Sequence, residues 1–587
     1  MLRNGILGLW CLLSALPTSF TAAAAAAAAV DERPNIVFIL TDDQDVHMSG
    51  LEHMALTRKY LQDKGTSFER HYCTVSICCP SRVNIWTGQL SHNTNVTAVH
   101  PPYGGYPKFI QNGYNDKHLA YWLQQSGYNT YYTGKMYNGQ TTKNYDKPAI
   151  KGYNESDLLL DPLTYQYYDF AATRNAGPVR NVGGEYSPDF TAKTAYEFLD
   201  LALRNGHDGA RRPFFLTVAP IAPHCEGSGP TGRPPQAADR HKDLYKDYRI
   251  PRNTSNFNPD SPSGVSWVRD LEQMNDTVMD FNDEYQRQRL RSLQSVDEMV
   301  EQVVLRLEEA GVLDNTHIFY TSDNGYHIGQ HRLHPGKMLG FEEDIRVPLV
   351  WRGPGVPEGH TRQSATSHSD LAPTIMRIAG LSYDDREFDG APLELEEETT
   401  RRREHVGIEF WGTALAESMW SVGAGGYNGT YPKNTYKGLR IEAEKYGLYY
   451  SVWCTRESEL DPGQMNNLLA THPEDDAPPT SIITSRPLQR LVDRLDALTL
   501  VLKSCKGSTC THPWRALHPE GEVESLLDAM DSRYDGFYEG QPKVSFDECA
   551  PGYLVGVEGP QEHDVYHGRG QELRRNADED DDWSFWL

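Results

Sequence analysis

Residues 35–43 read "NIVFILTDD": an unbroken apolar run from Ile36 to Leu40, closed by a threonine and two aspartates. A strand half-covered by solvent would alternate apolar and polar residues. A run without alternation fits a strand buried on both faces of a mainly parallel sheet. Open α/β sheets carry their chemistry just beyond the carboxyl ends of such strands, which is where Asp42 and Asp43 stand.

The chain on either side of this stretch repeats the pattern. "HLAYWLQQSG" (118–127) reads as a helix with Leu119, Trp122 and Leu123 on one side and Gly127 as its stop, followed by the strand "YNTYYTGK". "PFFLTVAP" (213–220) is a second buried strand. Val296, Met299, Val300, Val303 and Leu307 fall at helical spacing before Gly311, and "HIFYT" (317–321) returns as strand. Alternating order of this kind predicts an α/β domain. After the helical "DLAPTIMRIAG" (370–380) the text turns charged, and "LEEETTRRRE" (395–404) marks the expected boundary. Beyond it, "YGLYYSVW" (446–453) reads as strand and "PLQRLVDRLDALTLVL" (487–502) as helix, so a smaller C-terminal α+β domain is expected. The expected division is therefore a leader over 1–30, a catalytic domain over 31–400, a smaller domain over 401–575 and an acidic tail over 576–587.

Composition narrows the function. The 587 residues carry a formal net charge of -25, which argues against nucleic acid or an anionic membrane as partner, since both need a basic footprint. Arg3, the apolar Ile6–Leu16 run and the alanine tract Ala22–Ala29 have the layout of a secretory signal peptide. Sequons at Asn95, Asn154, Asn253, Asn275 and Asn428 agree with a glycosylating secretory route, leading to secretion, the cell wall or a lysosome-like compartment. No later apolar run is long enough to span a bilayer, so no stable membrane insertion is expected. In an oxidising compartment Cys505 and Cys510, in "CKGSTC", are expected to form a disulfide. The connectivity of Cys73, Cys78, Cys79, Cys225, Cys454 and Cys549 is open.

The strand ends hold two sets of groups. Asp42 and Asp43 follow one strand, and Asp323 and Asn324 follow "HIFYT". Three carboxylates and an amide brought together repel unless a divalent cation joins them, and calcium tolerates irregular oxygen sets better than magnesium. As isolated residues they are also ordinary loop formers. The other ends supply Lys135, in "YYTGK", and His224, in "LTVAPIAPH"; Lys337 and Arg82 add charge. Together they would make a cationic pocket suited to a small tetrahedral oxyanion. His327, His331 and His334 lack the one-face helical spacing of a zinc site.

One motif remains, "SICCPSRVNIWTG" at 76–88. Adjacent cysteines rarely have the geometry to bridge each other. The stretch resembles the sulfatase signature: a cysteine, any residue, Pro, Ser and Arg, then four residues and Thr-Gly. The resemblance extends in family order through "TDDQ", "TGK", "APH", "SDNGYHIGQHRLHPGK", "RVPLVWRGPG" and "DLAPTI", and later "LDPGQMNNL" (460–468). It implies an alkaline-phosphatase-like α/β fold and a sulfuric ester hydrolase of the fungal-type arylsulfatase and N-acetylglucosamine-6-sulfatase-like branches. It further implies that Cys78 is oxidised to formylglycine by the formylglycine-generating enzyme, leaving an odd cysteine count and at least one buried free thiol. The implied metal ligands are Asp42, Asp43, residue 78, Asp323 and Asn324, with calcium the usual ion; the implied sulfate-binding and catalytic groups are Arg82, Lys135, His224 and Lys337. Many sulfatases have a histidine two residues after the lysine of the Gly-Lys motif, and here Tyr137 stands there, followed by Asn138. Tyr137, Asn138 or water are open as the base that releases sulfate. A phosphatase of the same fold would expect Ser or Thr as nucleophile and two zinc ions, and an inactive glycan-binding relative would have lost some of these groups. The loops at 99–109 and 152–212 are the expected source of specificity.

Overall fold

The computed structural model describes residues 32–568 apart from 205–210, 262–263, 383–385, 397–402, 419–428, 461–463, 465–466, 470–482 and 485. The leader, Asn428, the acidic tail and the middle of the 395–404 boundary lie outside the described residues.

Eleven strands precede residue 363: β1 (Asn35–Thr41), β2 (Thr66–Phe68), β3 (His71–Tyr72), β4 (Asn129–Gly134), β5 (Glu155–Leu159), β6 (Asp169–Arg174), β7 (Arg180–Gly183), β8 (Phe214–Ala219), β9 (Thr316–Ser322), β10 (Leu349–Arg352) and β11 (His360–Arg362). All but β3 join one ten-stranded sheet in the order β11-β2-β10-β9-β1-β8-β4-β5-β6-β7. Its centre is parallel: β1 pairs with β8 and β9, and β4 with β8 and β5. Strands β10, β6 and β7 pair antiparallel toward the edges. The unbroken apolar run Ile36–Leu40 follows from burial on both faces of this sheet. Val37 and Ile39 enter the core on one face of the sheet, and Ile36, Phe38 and Leu40 enter the core on the other. Each such side chain contributes about 1.5–3 kcal/mol by leaving water.

Helices cover both faces. Ser187–Ala202 and Asp276–Glu309 pack on the first, the latter through Val296, Met299, Val300, Val303 and Leu307 as the periodicity predicts. Cys78–Thr87, Leu119–Gln125 and Leu371–Ile378 pack on the second through Val83, Trp86, Leu119, Leu123 and Ile375. The segment 152–212 is not one long loop: it builds one edge of the sheet as β5, β6 and β7 and then the helix Ser187–Ala202, and the stretch before β6 brings Tyr165 to His224. Its apolar residues are spent on the core.

A short strand β12 (Thr366–Ser367) pairs with β3. Past the boundary come β13 (His405–Phe410), β14 (Ala414–Leu415), β15 (Thr430–Tyr431), β16 (Tyr436–Glu442), β17 (Gly447–Trp453) and β18 (Ser458–Leu460). Strands β13-β16-β17-β18 form an antiparallel sheet, and the helix Leu488–Leu502 lays Leu491, Leu495 and Leu498 against Leu439, Leu448 and Tyr450. Cys505 bridges Cys510 as expected, and Cys454 bridges Cys549, a pairing the sequence left open. Cys73, Cys78, Cys79 and Cys225 are free and buried.

Candidate active site

Parallel pairing of β1 with β9 sets Thr41 opposite Ser322, so the residues that follow them meet at one edge of the sheet. Asp43 N–H donates to Asp323 Oδ1 at 3.1 Å, and Asn324 Nδ2 to Asp43 Oδ1 at 2.7 Å. Strand β4 ends at Gly134, where φ is +103° and a Cβ would meet the Ala219 carbonyl oxygen at 2.0 Å. Only glycine fits, and Lys135 follows it into the site. Lys135 Nζ donates to both oxygens of Asp42 at 2.8 and 2.6 Å.

Cys78 opens the buried helix Cys78–Thr87, with Arg82 one turn on. Its Sγ lies 3.6 Å from Asp42 Oδ1 and 3.9 Å from Asp43 Oδ1, and Lys337 Nζ approaches it to 3.3 Å. Lys337 also holds Asp43 at 2.5 and 2.6 Å. Arg82 Nε donates to Asp323 Oδ2 at 2.7 Å and its Nη1 to the Lys135 carbonyl at 2.6 Å. His224 Nδ1–H donates to the Cys225 carbonyl at 2.7 Å, which leaves Nε2 facing Asp43 Oδ2 at 3.5 Å. All nine residues that the sequence nominated are thus brought together and buried.

The electrostatics follow from this crowding. Burial pushes the Asp42 carboxyl up, but Lys135, His224 and Arg82 outweigh it and hold it below the usual range. Burial, then Lys337, push His224 down to about 4, so it stands neutral near pH 7. Burial alone would lower Lys337; Asp43 reverses this and keeps it firmly protonated. Burial drives the Cys78 thiol well up, against the pull of Lys135 and Lys337, so an unmodified thiol here is a poor nucleophile.

Three carboxylates face three side-chain cations, and an incoming anion would tip the balance negative. Two details suit a cation. Asn324 Oδ1 is buried without a hydrogen-bond partner, and Asp42, Asp43, Cys78 and His224 each turn a donor atom within 4.8 Å of one another. With Asn324 Oδ1, three of these five donor atoms are oxygens, the type a hard divalent ion prefers.

Several neighbours were not legible beforehand. Arg289, fully buried, donates to the Asp43 carbonyl at 2.6 Å and to Asp45 Oδ1 at 3.1 Å, fixing the backbone that carries Asp43. It lies on the stripe that continues through Leu293, Val296 and Val300, and an arginine on an apolar helical stripe was the available signal. Tyr165 stacks on His224 at 3.9 Å between centroids, carries Lys135 Nζ 4.6 Å above its ring and accepts a hydrogen bond from Asn138. Tyr137 is packed away from the carboxylates, its ring 4.7 Å from that of Phe109 inside the apolar cluster. Of the histidines set aside for zinc, His327 pairs with Asp344 and His331 stacks on Phe341.

A buried carboxylate cluster ringed by fixed cations, at the carboxyl edge of a parallel sheet, defines a hydrolase for esters of a tetrahedral oxyanion. The sulfatase family model matches residues 34–381. An arylsulfatase of Volvox carteri is 36% identical over 574 residues, covering 90% of this chain and 83% of its own. An N-acetylglucosamine-6-sulfatase of Homo sapiens is 30% identical over 519 residues, covering 83% and 87%. A solved complex with the substrate D-glucosamine-2-N,6-O-disulfate shares the fold, with a TM-score of 0.60 at 21% identity over 75% of this chain and 94% of that one. The chain belongs to the sulfatase family, has its alkaline-phosphatase-like fold and hydrolyses sulfate esters. The family binds a divalent metal, and the acidic cluster offers donors for it.

Proposed function

We propose that the protein is a secreted, calcium-dependent arylsulfatase whose nucleophile is a formylglycine made from Cys78 by a formylglycine-generating enzyme. The observation that carries this reading is the position of Cys78: first residue of a buried helix, flanked by Asp42, Asp43 and Lys337, in a Cys-x-Pro-Ser-Arg context. The aryl substrate is supported by the relative in Volvox carteri, and a sulfated sugar such as glucosamine 6-sulfate is the second reading, favoured by the human relative. In this reading residues 31–400 carry the chemistry and 401–575 form the smaller domain. Asn95, Asn154, Asn253 and Asn275 are exposed, which suits glycan carriers, and no helix among the described residues is long and apolar enough to cross a membrane.

Asp42, Asp43, Asp323 and Asn324, with residue 78, would hold the calcium, which supplies positive charge against the sulfonate oxygens. A hydrated formylglycine would supply two hydroxyls on one carbon: one gives its proton to water and attacks sulfur, and the other gives its proton to water as the carbon–oxygen bond to sulfate breaks and the aldehyde returns. Arg82, Lys135 and Lys337 hold charge that grows on the sulfonate. Protonated Lys337 gives its proton to the leaving oxygen as the sulfur–oxygen bond breaks. Neutral His224, held by the Cys225 carbonyl through Nδ1 and by Tyr165 across its face, keeps Nε2 as an acceptor for the hydroxyl that the leaving oxygen becomes once Lys337 has protonated it.

Mass spectrometry of the tryptic fragment ending at Arg82 should show an aldehyde at 78 and a thiol at 79. Assayed side by side, phenyl sulfate esters should turn over faster than sugar or choline sulfates. A free thiol at 78 in fully active protein would overturn the nucleophile, and preference for a sugar sulfate would move the substrate to the second reading.

A further inference from the structure

Glu417 lies beyond the segment that matches the family, in the chain that leaves β14, yet its side chain is only 4% exposed and stands beside Lys337. Its backbone is pinned on both sides: Glu417 N–H donates to the Pro335 carbonyl at 2.7 Å, and its own carbonyl accepts from Tyr285 Oη at 3.2 Å. Ala416 bridges Gly336, so the stretch runs alongside the loop that carries Lys337. Among the described residues, its carboxylate has two close polar partners. Oε1 is 3.6 Å from Lys337 Nζ, and Oε2 accepts from the Cys225 thiol at 3.5 Å, next to His224.

The arrangement ties together the two groups that serve the leaving oxygen. Lys337 Nζ faces Asp43, Cys78 and Glu417. Asp43 belongs to the proposed cation set and Cys78 to the nucleophile, so both are engaged elsewhere when the site works. Glu417 belongs to neither. We propose that Glu417 is a positioning residue that anchors Lys337 from the smaller domain's side, holding its ammonium where it meets the leaving oxygen. The Cys225 thiol, buried and hydrogen-bonded, orients that carboxylate and is not a nucleophile. This rests on the role given to Lys337 under Proposed function.

Leaving-group dependence separates positioning from mere support of the fold. A 4-nitrophenolate leaves with little help, whereas phenolate needs a proton. Glu417→Gln should lower kcat on phenyl sulfate about tenfold to a hundredfold more than on 4-nitrophenyl sulfate, with little change in KM. Glu417→Asp, which withdraws the carboxylate but keeps its charge, should steepen the dependence less. Calcium affinity, read by chelator competition, should be unchanged in both. Lys337→Ala is the control: if it shows no leaving-group dependence, the assignment of Lys337 fails and this inference with it. If Lys337→Ala steepens the dependence while both Glu417 variants lose activity equally on every ester, or lose none, the anchoring role alone is overturned.

Discussion

Two buried clusters of charge, one at the end of β1 and the other between the domains, use the same residue types and reach opposite states. In the second, Glu409 accepts from His92 N–H at 3.0 Å, from His92 Nδ1 at 2.8 Å and from Lys437 Nζ at 3.1 Å. Lys437 also faces Glu558 at 3.4 Å and lies 4.0 Å above the Trp411 ring. Each cation of this cluster faces a carboxylate, and Glu558 Oε2, without a hydrogen bond, meets Lys437 as an ion pair. At the site, by contrast, Asn324 Oδ1 has no partner, Asp43 is shared among Lys337, Asn324 and His224, and Cys78 Sγ faces two carboxylates. Burial by itself does not mark function, since both clusters are buried to the same degree. The grouping of oxygen atoms does: an unpartnered amide oxygen beside three carboxylates is placed to bind a cation.

The contrast breaks hardest at residue 78. Cys78→Ser should leave the fold intact and cut steady turnover by about four orders of magnitude or more, because a serine ester has no second hydroxyl on its carbon to expel sulfate. A sulfated serine should accumulate and be visible by mass. Repeated turnover at near the wild-type rate would count decisively against the aldehyde.

Asp323 tests the cation side. Its Oδ1 accepts from two backbone N–H groups and its Oδ2 from Arg82, so Asp323→Ala removes a ligand and takes the nearer carboxylate from a buried guanidinium. Turnover should fall by about two to three orders of magnitude, and stability by about 3–5 kcal/mol. Asp323→Asn should fall less, since one oxygen remains. Exhaustive chelation of the wild type should reproduce the loss of activity, with calcium restoring it better than zinc. A stripped enzyme that still hydrolyses aryl sulfates at full rate would remove these residues from the ligand set.

How much of this was legible beforehand depended on the range of the interaction. Strand β1, the helix Asp276–Glu309 and the residues after β1, β4, β8 and β9 announce themselves, because apolar runs, helical periods and strand ends are local patterns. The strands within 152–212 were not read because they are short and β7 is exposed, which reads as loop. Glu417, Tyr165 and the Cys454–Cys549 bridge depend on chain segments meeting from far apart, and no local spacing records such a meeting. Arg289 sits between these cases: its helix was readable, its partners were not.

The smallest effect on catalysis is expected from Glu409→Gln, and it sharpens the comparison from the other side. Burial raises the Glu409 carboxyl, but His92 and Lys437 outweigh it and bring it down to about 2, from an unfolded value of 4.5. A depressed carboxyl stabilises the fold fully above the unfolded value and loses that contribution as pH falls from about 4.5 toward about 2. The shift corresponds to about 3 kcal/mol. His92 moves the opposite way: Glu409 raises it above 6.5 against the cost of burial, so its contribution is complete below 6.5 and fades as pH rises through the raised value. The pair therefore stabilises most between about pH 4.5 and 6.5. Apparent unfolding temperatures of wild type and Glu409→Gln, measured across pH, should differ most in that window and converge in stronger acid. The kcat and KM of the folded variant should stay within about twofold of wild type, because this network touches no reacting atom. A gap in stability that does not vary with pH, or a loss of kcat in fully folded protein, would show that this cluster is not the self-contained structural element that its geometry describes.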